Sequence, residues 1–187
     1  MLDDGGLEEI DPTPPRILST VAFILEKLVS RNDLLIEEVE KCSSSSPISQ
    51  VLVVLEAFRA PRVPSISIGK YLGRIYKYTG CSPSCFVVAF VYVDRLLYKY
   101  PGFLVVSFNV HRLMLSAVLI ASKVLETIDH DNAFYARVGG VSNVELNKLE
   151  LELLSQLDFQ VNVSSTVFDS YCSLLDKEMI WNEASQA

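Results

Sequence analysis

The sequence predicts an all-α fold of about five to seven helices, and three observations carry that prediction. Apolar residues recur at spacings of three and four along several segments, which is the pattern of an amphipathic helix. Prolines, glycines and capping residues separate these segments at short intervals. Half of the 187 residues are hydrophobic, which is enough for one substantial core. A chain of this length fits a single compact domain rather than two.

The first helix is predicted to begin at Pro14 and Pro15, because proline is tolerated in a first helical turn, and to end near Asn32. A charged tract to Lys41 could continue it after a bend, until a serine-rich loop at residues 43–47. Residues 50–58 form a short apolar run in which periodicity leaves helix and strand equally open. The inward face of the first helix is apolar: Ile17, Leu18, Val21, Ile24, Leu25 and Leu28.

Three predicted helices fill the middle of the chain. One begins around residues 65–67 and stops at residues 79–80, because Gly80 tolerates the left-handed backbone of a helix end. Ser82 and Pro83 begin the next, which extends to about Tyr100 and is apolar almost all round. Asn109 caps a third helix with two broad apolar faces. We expect the last two to be central and mostly buried, because neither has a polar side.

The C-terminal part is predicted to hold a short helix and two longer ones. The short helix starts at residues 131–132 and ends at residues 139–140, which are both glycine. Ser142 and Glu145 form a capping box, in which each side chain satisfies the other's backbone amide. The helix that follows turns leucines inward: Leu146, Leu149, Leu153, Leu154 and Leu157. The last amphipathic segment starts at residue 165 and turns these residues inward: Phe168, Tyr171, Leu174 and Leu175.

Charge and hydropathy restrict the class of partner. The formal net charge is -7 and the sequence pI is about 4.8, the wrong sign for a protein that binds phosphate groups. Nucleic acid and anionic membranes are therefore not expected partners. No apolar run approaches the roughly 20 residues of a membrane span. The N-terminus has no basic segment followed by an apolar one, so we expect an intracellular protein of the nucleus, the cytoplasm or both.

The residues give no pattern for catalysis or for a cofactor. We find no phosphate loop, nucleotide-binding glycine motif or nucleophile with a matched base, so we expect no enzyme and no small-molecule substrate. His111 and His130 are interpreted as surface residues. Cys81 and Cys85 could supply two thiolates, but no histidine has a matching spacing, and we predict no metal site.

Three strings resemble a known family. VYVDRLL at residues 91–97, SAVLIASKVLE at 116–126 and LELELLSQLDF at 149–159 resemble the second, third and fifth helices of a cyclin box. The flanks ISIGKYL at 66–72 and YTGCS at 78–82 are similar to the single-box P-type cyclins, which are called U-type in plants and are similar to the phosphate-responsive cyclins of yeast. The resemblance covers residues 17–163.

The resemblance implies a single cyclin box of five core helices with additional N- and C-terminal helices. It divides the chain into a flexible acidic N-terminus (1–14), the box with its preceding helix (15–163), and a C-terminal helix and tail (164–187). It implies a regulatory subunit that binds and activates a cyclin-dependent serine/threonine protein kinase, in the cell cycle or in nutrient signalling. The alternative is a cyclin-box scaffold in a non-kinase complex of the transcription type.

The resemblance also implies a binding site. In the family, a lysine on the third box helix and a glutamate on the fifth hydrogen-bond to the backbone beside the C helix of the kinase. Lys123 and Glu150 occupy those positions here. Apolar contact around them would come from four residues: Ile120, Val124, Leu154 and Phe159.

Asp94 and Arg95 interrupt the apolar helix that contains them. Charges in such a setting are costly unless they are paired, so we interpret both as members of structural ion pairs. Asp94 is predicted to be buried beside an arginine. Many cyclins supply that arginine from the start of the first box helix, where this chain has Ser65.

Overall fold

The computed structural model of the chain describes residues 14–42, 56–126 and 130–186. These ranges contain seven α-helices and no β-strand, which confirms the all-α fold class. The acidic start at 1–13, the serine-rich residues 43–47 and most of the apolar run at 50–58 lie outside the described residues. In chain order the helices are α1 (Arg16–Cys42), α2 (Ile68–Thr79), α3 (Pro83–Lys99), α4 (Val110–Leu125), α5 (Asn132–Gly139), α6 (Asn143–Gln156) and α7 (Ser165–Gln186).

The two central helices are α3 and α4, as their apolar sequences predict. Nine residues of α3 and twelve of α4 are buried. The two helices pack on each other, α1 and α7 cover α3, and α2, α5 and α6 surround α4. A helix that is apolar all round is stable only when other elements enclose it, and each large aliphatic side chain buried there contributes about 1.5–3 kcal/mol.

Local capping determines where the helices begin and end. The Ser67 hydroxyl accepts a hydrogen bond from the Lys70 amide at the start of α2, and Gly80 ends that helix with a φ of 65°. Asp131 caps α5, and Gly140 ends it with a φ of 72°. Both glycines adopt the left-handed conformation, which is costly for residues that carry a Cβ. The predicted boundaries of these helices are confirmed because their signals are local.

The first helix is longer than predicted. It passes Asn32 without a break and continues to Cys42. The Asn32 side chain is buried and donates a hydrogen bond to the Val105 carbonyl at 2.8 Å, while the Asp33 carboxylate accepts from the Ser107 backbone amide at 3.1 Å. The polar residues near which the first helix was predicted to end therefore attach α1 to the loop between α3 and α4.

The capping box at the start of α6 is only half formed. The Ser142 hydroxyl accepts from the Glu145 amide at 3.1 Å, as predicted. The Glu145 carboxylate instead forms an ion pair with Arg112, whose guanidinium also donates to the Arg59 carbonyl at 2.5 Å. A charged partner on α4 is a stronger ligand for the carboxylate than a backbone amide.

His111 is buried, so the expectation of a surface histidine is wrong. It is 9% exposed and lies against the ring of Tyr71, and its Nε2 is 2.8 Å from the Ile66 carbonyl oxygen. Because a carbonyl only accepts, Nε2 carries the proton. Burial lowers the pKa of His111, and the hydrogen bond to Ile66 opposes this only in part. The ring is therefore held neutral.

The last helix, α7, packs on α1 and α3 through one narrow stripe. Leu175 is fully buried, and Phe168 and Tyr171 are partly buried against the core, as predicted. Leu174 is 46% exposed, which contradicts the prediction that it faces inward. Adjacent helical residues point about 100° apart, so a stripe centred on Leu175 leaves Leu174 outside.

Candidate partner-binding surface

The two residues that the family resemblance singles out lie side by side. Lys123 is in the last turn of α4 and Glu150 is in the middle of α6, and these helices pack against each other. The Lys123 Nζ is 2.5 Å from the Glu150 Oε1, and the two side chains are 34% and 15% exposed. The structure thus joins them in an ion pair at the protein surface.

A third polar residue fixes Glu150, and the sequence analysis did not find it. The Asn132 Nδ2 donates to the Glu150 Oε2 at 2.7 Å and to the Asn147 Oδ1 at 2.7 Å. Both oxygens of the carboxylate are therefore held, one from α4 and one from the start of α5. The sequence offers little sign of this contact. Asn132 directly follows the capping residue of α5, so its position indicates only a helix start.

The apolar residues predicted around the pair differ in exposure. Val124 is 39% exposed and Phe159 is 62% exposed, whereas Leu154 is partly buried against the core. Ile120 is 2% exposed and belongs to the core, so its assignment as a contact residue is corrected. It lies on the inner side of α4, one turn before Lys123, and supports the surface from beneath.

Two further apolar side chains are exposed next to the pair in sequence. Leu125 follows Lys123 and Val124 and is 45% exposed, and Leu151 follows Glu150 and is 62% exposed. Single exposed apolar residues are common on protein surfaces, whereas a contiguous apolar patch is typical of an interaction surface. The inward face predicted for α6 does not include Leu151, and nothing in the leucine-rich string indicates that this leucine is exposed.

The turn after α6 has an unusual backbone. Asp158 and Phe159 have φ values of 51° and 57°, which are uncommon for residues with a side chain. The Phe159 amide donates to the Leu154 carbonyl at 2.8 Å, which closes the end of the helix. Two residues in this region cost about 1–3 kcal/mol each, so the surrounding structure must hold them there.

Asp94 does not have the buried position that its apolar helix predicts. It is exposed and accepts a hydrogen bond from the Tyr171 hydroxyl at 2.5 Å. Burial, followed by the Asp94 carboxylate, raises the pKa of Tyr171 to about 12. Arg95 donates to the carbonyls of Gln160 and Asn162 at 2.7 and 3.0 Å. The prediction of burial is wrong because Asp94 lies at the edge of α3, facing α7.

Few other side chains among the described residues could react or bind a metal ion. Cys81 and Cys85 are buried free thiols. Within residues 14–42, 56–126 and 130–186, no group of three or more histidine, cysteine, aspartate or glutamate residues is placed to hold a metal ion. In the same ranges, no helix combines the length and the apolar character needed to cross a bilayer.

Comparison with known proteins identifies the family. The family model described as Cyclin matches residues 16–161. Cyclin-U1-1 of Arabidopsis thaliana is 52% identical over an alignment that covers 98% of this chain and 88% of that protein. Cyclin-P4-1 of Oryza sativa subsp. japonica is 38% identical over 96% of this chain and 81% of its own length. Cyclin-U4-1 of Arabidopsis thaliana is 41% identical over 88% of this chain and 76% of its own length.

The matched region contains α1 and then helices α2 to α6, and these last five correspond in number to the helices of one cyclin box. Cyclins are regulatory proteins and generally act by activating cyclin-dependent kinases, so a regulatory role follows from the family. The chain belongs to the cyclin family, and its relatives are plant U-type and P-type cyclins.

Proposed function

We propose that this chain binds a cyclin-dependent serine/threonine kinase through one face, here called the anchor surface: Lys123, Val124, Glu150, Leu154 and Phe159. The single observation that carries the proposal is the ion pair of Lys123 and Glu150, fixed at the surface between exposed apolar residues. Residues 15–163 form the kinase-binding unit in this proposal, and 164–187 form a separate C-terminal helix and tail.

The ion pair keeps enough hydrogen-bonding capacity for a partner. A lysine ammonium has three donors, and Glu150 occupies one of them. A carboxylate has about four acceptor sites, of which Lys123 and Asn132 use two. Lys123 can therefore donate to a kinase carbonyl while Glu150 accepts from a kinase amide. The pair is neutral as a whole, which reduces the cost of removing each charge from water.

The apolar residues supply the hydrophobic part of the contact. Binding energy concentrates on a few side chains at the desolvated centre of an interface, and aromatic residues are prominent among them. Phe159 exposes 62% of its surface and Val124 exposes 39%, so both have area to bury. Fully burying a side chain of this kind contributes about 1.5–3 kcal/mol.

Activation follows if the anchor surface fits only one arrangement of the kinase. A ligand shifts a conformational equilibrium by its difference in affinity for the two states. The anchors come from α4 and α6, whose packing and polar contacts fix them relative to each other. A rigid surface of this kind binds the inward position of the kinase C helix better than the outward one, and thereby stabilises the active state.

The test is a titration of the chain against a panel of cyclin-dependent kinases, with kinase activity followed in parallel. Lys123→Ala and Glu150→Ala should each weaken binding by about 2–5 kcal/mol, or roughly 30-fold or more. Glu38→Ala, an exposed charge on α1, is the control and should bind like the parent. Circular dichroism of each variant verifies that the fold is intact.

Two outcomes would contradict the proposal. Unchanged affinity in both anchor variants would place kinase binding on another face of the domain. Failure of the parent protein to bind any kinase of the panel would favour the alternative, a cyclin-box scaffold in a non-kinase complex.

A further inference from the structure

The turn that follows α6 presents an aromatic side chain to solvent from a strained backbone. Phe159 is 62% exposed although both it and Asp158 have positive φ values. A bulky residue with positive φ is a genuine outlier in proteins. Strain of this kind persists only where neighbouring groups hold it, and it concentrates at functional sites.

Three side chains from one face of α3 hold this turn. The Tyr92 hydroxyl donates to the Val161 carbonyl at 2.7 Å. The Arg95 guanidinium donates to the carbonyls of Gln160 and Asn162, at 2.7 and 3.0 Å. Residues three and four apart lie on one side of a helix, and the third member of the set, Lys99, follows Arg95 by four.

Lys99 holds the beginning of the turn. Its Nζ donates to the Gln156 carbonyl at 2.9 Å and to the Asp158 carboxylate at 2.5 Å. The hydrogen bond that Lys99 donates to the Asp158 carboxylate raises the pKa of Lys99, which favours the charged ammonium. Carbonyls on both sides of Phe159 are thus bonded to α3, while the Phe159 ring itself remains exposed.

We propose that Arg95 and Lys99 are positioning residues that fix the turn at residues 156–162 and thereby present Phe159, already oriented, to the kinase. The inference rests on the proposed function, because it takes a kinase as the partner of Phe159. It also gives Arg95 a role in place of the structural ion pair that the sequence suggested.

Lys99 is exposed and Arg95 is half-buried, and this position at the surface favours a positioning role over one in global stability. Their hydrogen bonds lie at the surface, where such interactions contribute little to the folding equilibrium. Their effect is concentrated on one turn. Holding an aromatic side chain in its bound orientation before association removes the entropy cost of ordering it later, which raises affinity without a new contact.

The first experiment measures the turn in the free protein by amide hydrogen exchange. The Phe159 amide donates to the Leu154 carbonyl at 2.8 Å, and its exchange reports whether the turn is closed. Arg95→Ala should accelerate exchange at Phe159 by about tenfold or more, while the Leu146 amide in α6 keeps its rate. Arg137→Ala, which removes an exposed arginine from α5, is the matched control. Unchanged exchange at Phe159 in Arg95→Ala overturns the inference.

The second experiment is a double-mutant cycle on kinase affinity. Arg95→Ala should weaken binding by about tenfold in the parent and have almost no effect in Phe159→Ala, because it acts through that ring. Arg95→Lys retains the charge but not the fork that reaches two carbonyls, and it should restore only part of the affinity. An equal loss in both backgrounds, or no loss in the parent, overturns the inference.

The cycle also separates this inference from the proposed function. If Phe159→Ala binds like the parent while Lys123→Ala binds weakly, the positioning role is wrong and Phe159 leaves the anchor surface, but kinase binding through Lys123 and Glu150 stands. If Lys123→Ala and Glu150→Ala also bind like the parent, the proposed function itself is contradicted.

Discussion

Two ion pairs join the same two helices, and they differ in their surroundings. Arg112 and Glu145 link α4 to the first turn of α6, with side chains 17% and 32% exposed. The same guanidinium donates to the Arg59 carbonyl. Of the residues directly beside Arg112 and Glu145 in sequence, Val144 is exposed and the others are buried. This pair is tied into a loop and has a structural role.

The second pair, Lys123 and Glu150, has similar exposure but different neighbours. Its side chains are 34% and 15% exposed. The residues beside it in sequence include Val124, Leu125 and Leu151, all of which are exposed. The exposure of a charged pair therefore does not distinguish a structural role from a binding role. In the proposed function the distinguishing feature is the exposed apolar surface beside the pair, because water must leave such a surface when a partner binds.

The largest expected effect on stability comes from breaking the structural pair. Glu145→Ala leaves Arg112 with the Arg59 carbonyl as its partner and should lower the free energy of unfolding by about 1–3 kcal/mol. Glu150→Ala should cost about 1 kcal/mol or less, because Lys123 can turn into water. Urea denaturation of both variants makes the comparison. An equal or larger loss in Glu150→Ala would show that the two pairs have the same role.

The next largest effect is on kinase affinity, and it tests whether Asn132 of α5 holds Glu150 in place for the partner. Asn132→Ala frees the Oε2 of Glu150 and should reduce kinase affinity by about 1 kcal/mol, or roughly fivefold. The loss should vanish when Glu150 is already alanine. Asn143→Ala, at the exposed start of α6, serves as the control. A loss that persists in Glu150→Ala would mean that Asn132 contacts the kinase directly.

A pH effect is expected at the other end of α4. Burial lowers the pKa of His111 in the folded state, so the unfolded chain takes up the proton first as the pH falls. Stability from this residue is therefore complete above the ordinary histidine pKa of about 6.5 and decreases below it. His111→Gln retains a donor near the Ile66 carbonyl and should reduce the fall in stability between pH 7 and pH 5.5. The same pH dependence in parent and variant would contradict this account.

The smallest effect is expected at Asp94. Because the side chain is exposed and its partner is the Tyr171 hydroxyl, Asp94→Ala should cost about 1 kcal/mol or less. Thermal denaturation followed by circular dichroism measures this. A loss of about 3 kcal/mol or more would indicate a buried charge pair instead.

The sequence predicted those features whose causes are local. Ser67 and Gly80 set the ends of α2 through contacts within a few residues, and both boundaries are confirmed. Asn32 and Arg95 act on carbonyls 73 and 65 residues away, and no local pattern reveals such partners. The sequence also could not show which way the Asp94 side chain points. An almost wholly apolar helix does not indicate which of its sides lies at the surface of the protein.

The same limit applies to the anchor surface. The family resemblance identified Lys123 and Glu150, and periodicity gave the helices that carry them. Periodicity could not show that Ile120 points inward or that Leu151 points outward, because α4 and α6 both carry apolar residues on more than one side. Nor could it find Asn132, whose contact with Glu150 depends on how α5 packs on α6.

The most direct test of the account is a charge swap across the anchor pair. The double variant Lys123→Glu with Glu150→Lys restores an ion pair between α4 and α6 but reverses the donors and acceptors that a kinase would meet. Its unfolding free energy should match the parent within about 1 kcal/mol, while kinase affinity falls by about 30-fold or more, as in each single alanine variant. A double variant that binds the kinase like the parent would show that the pair only joins the helices, and would contradict the account.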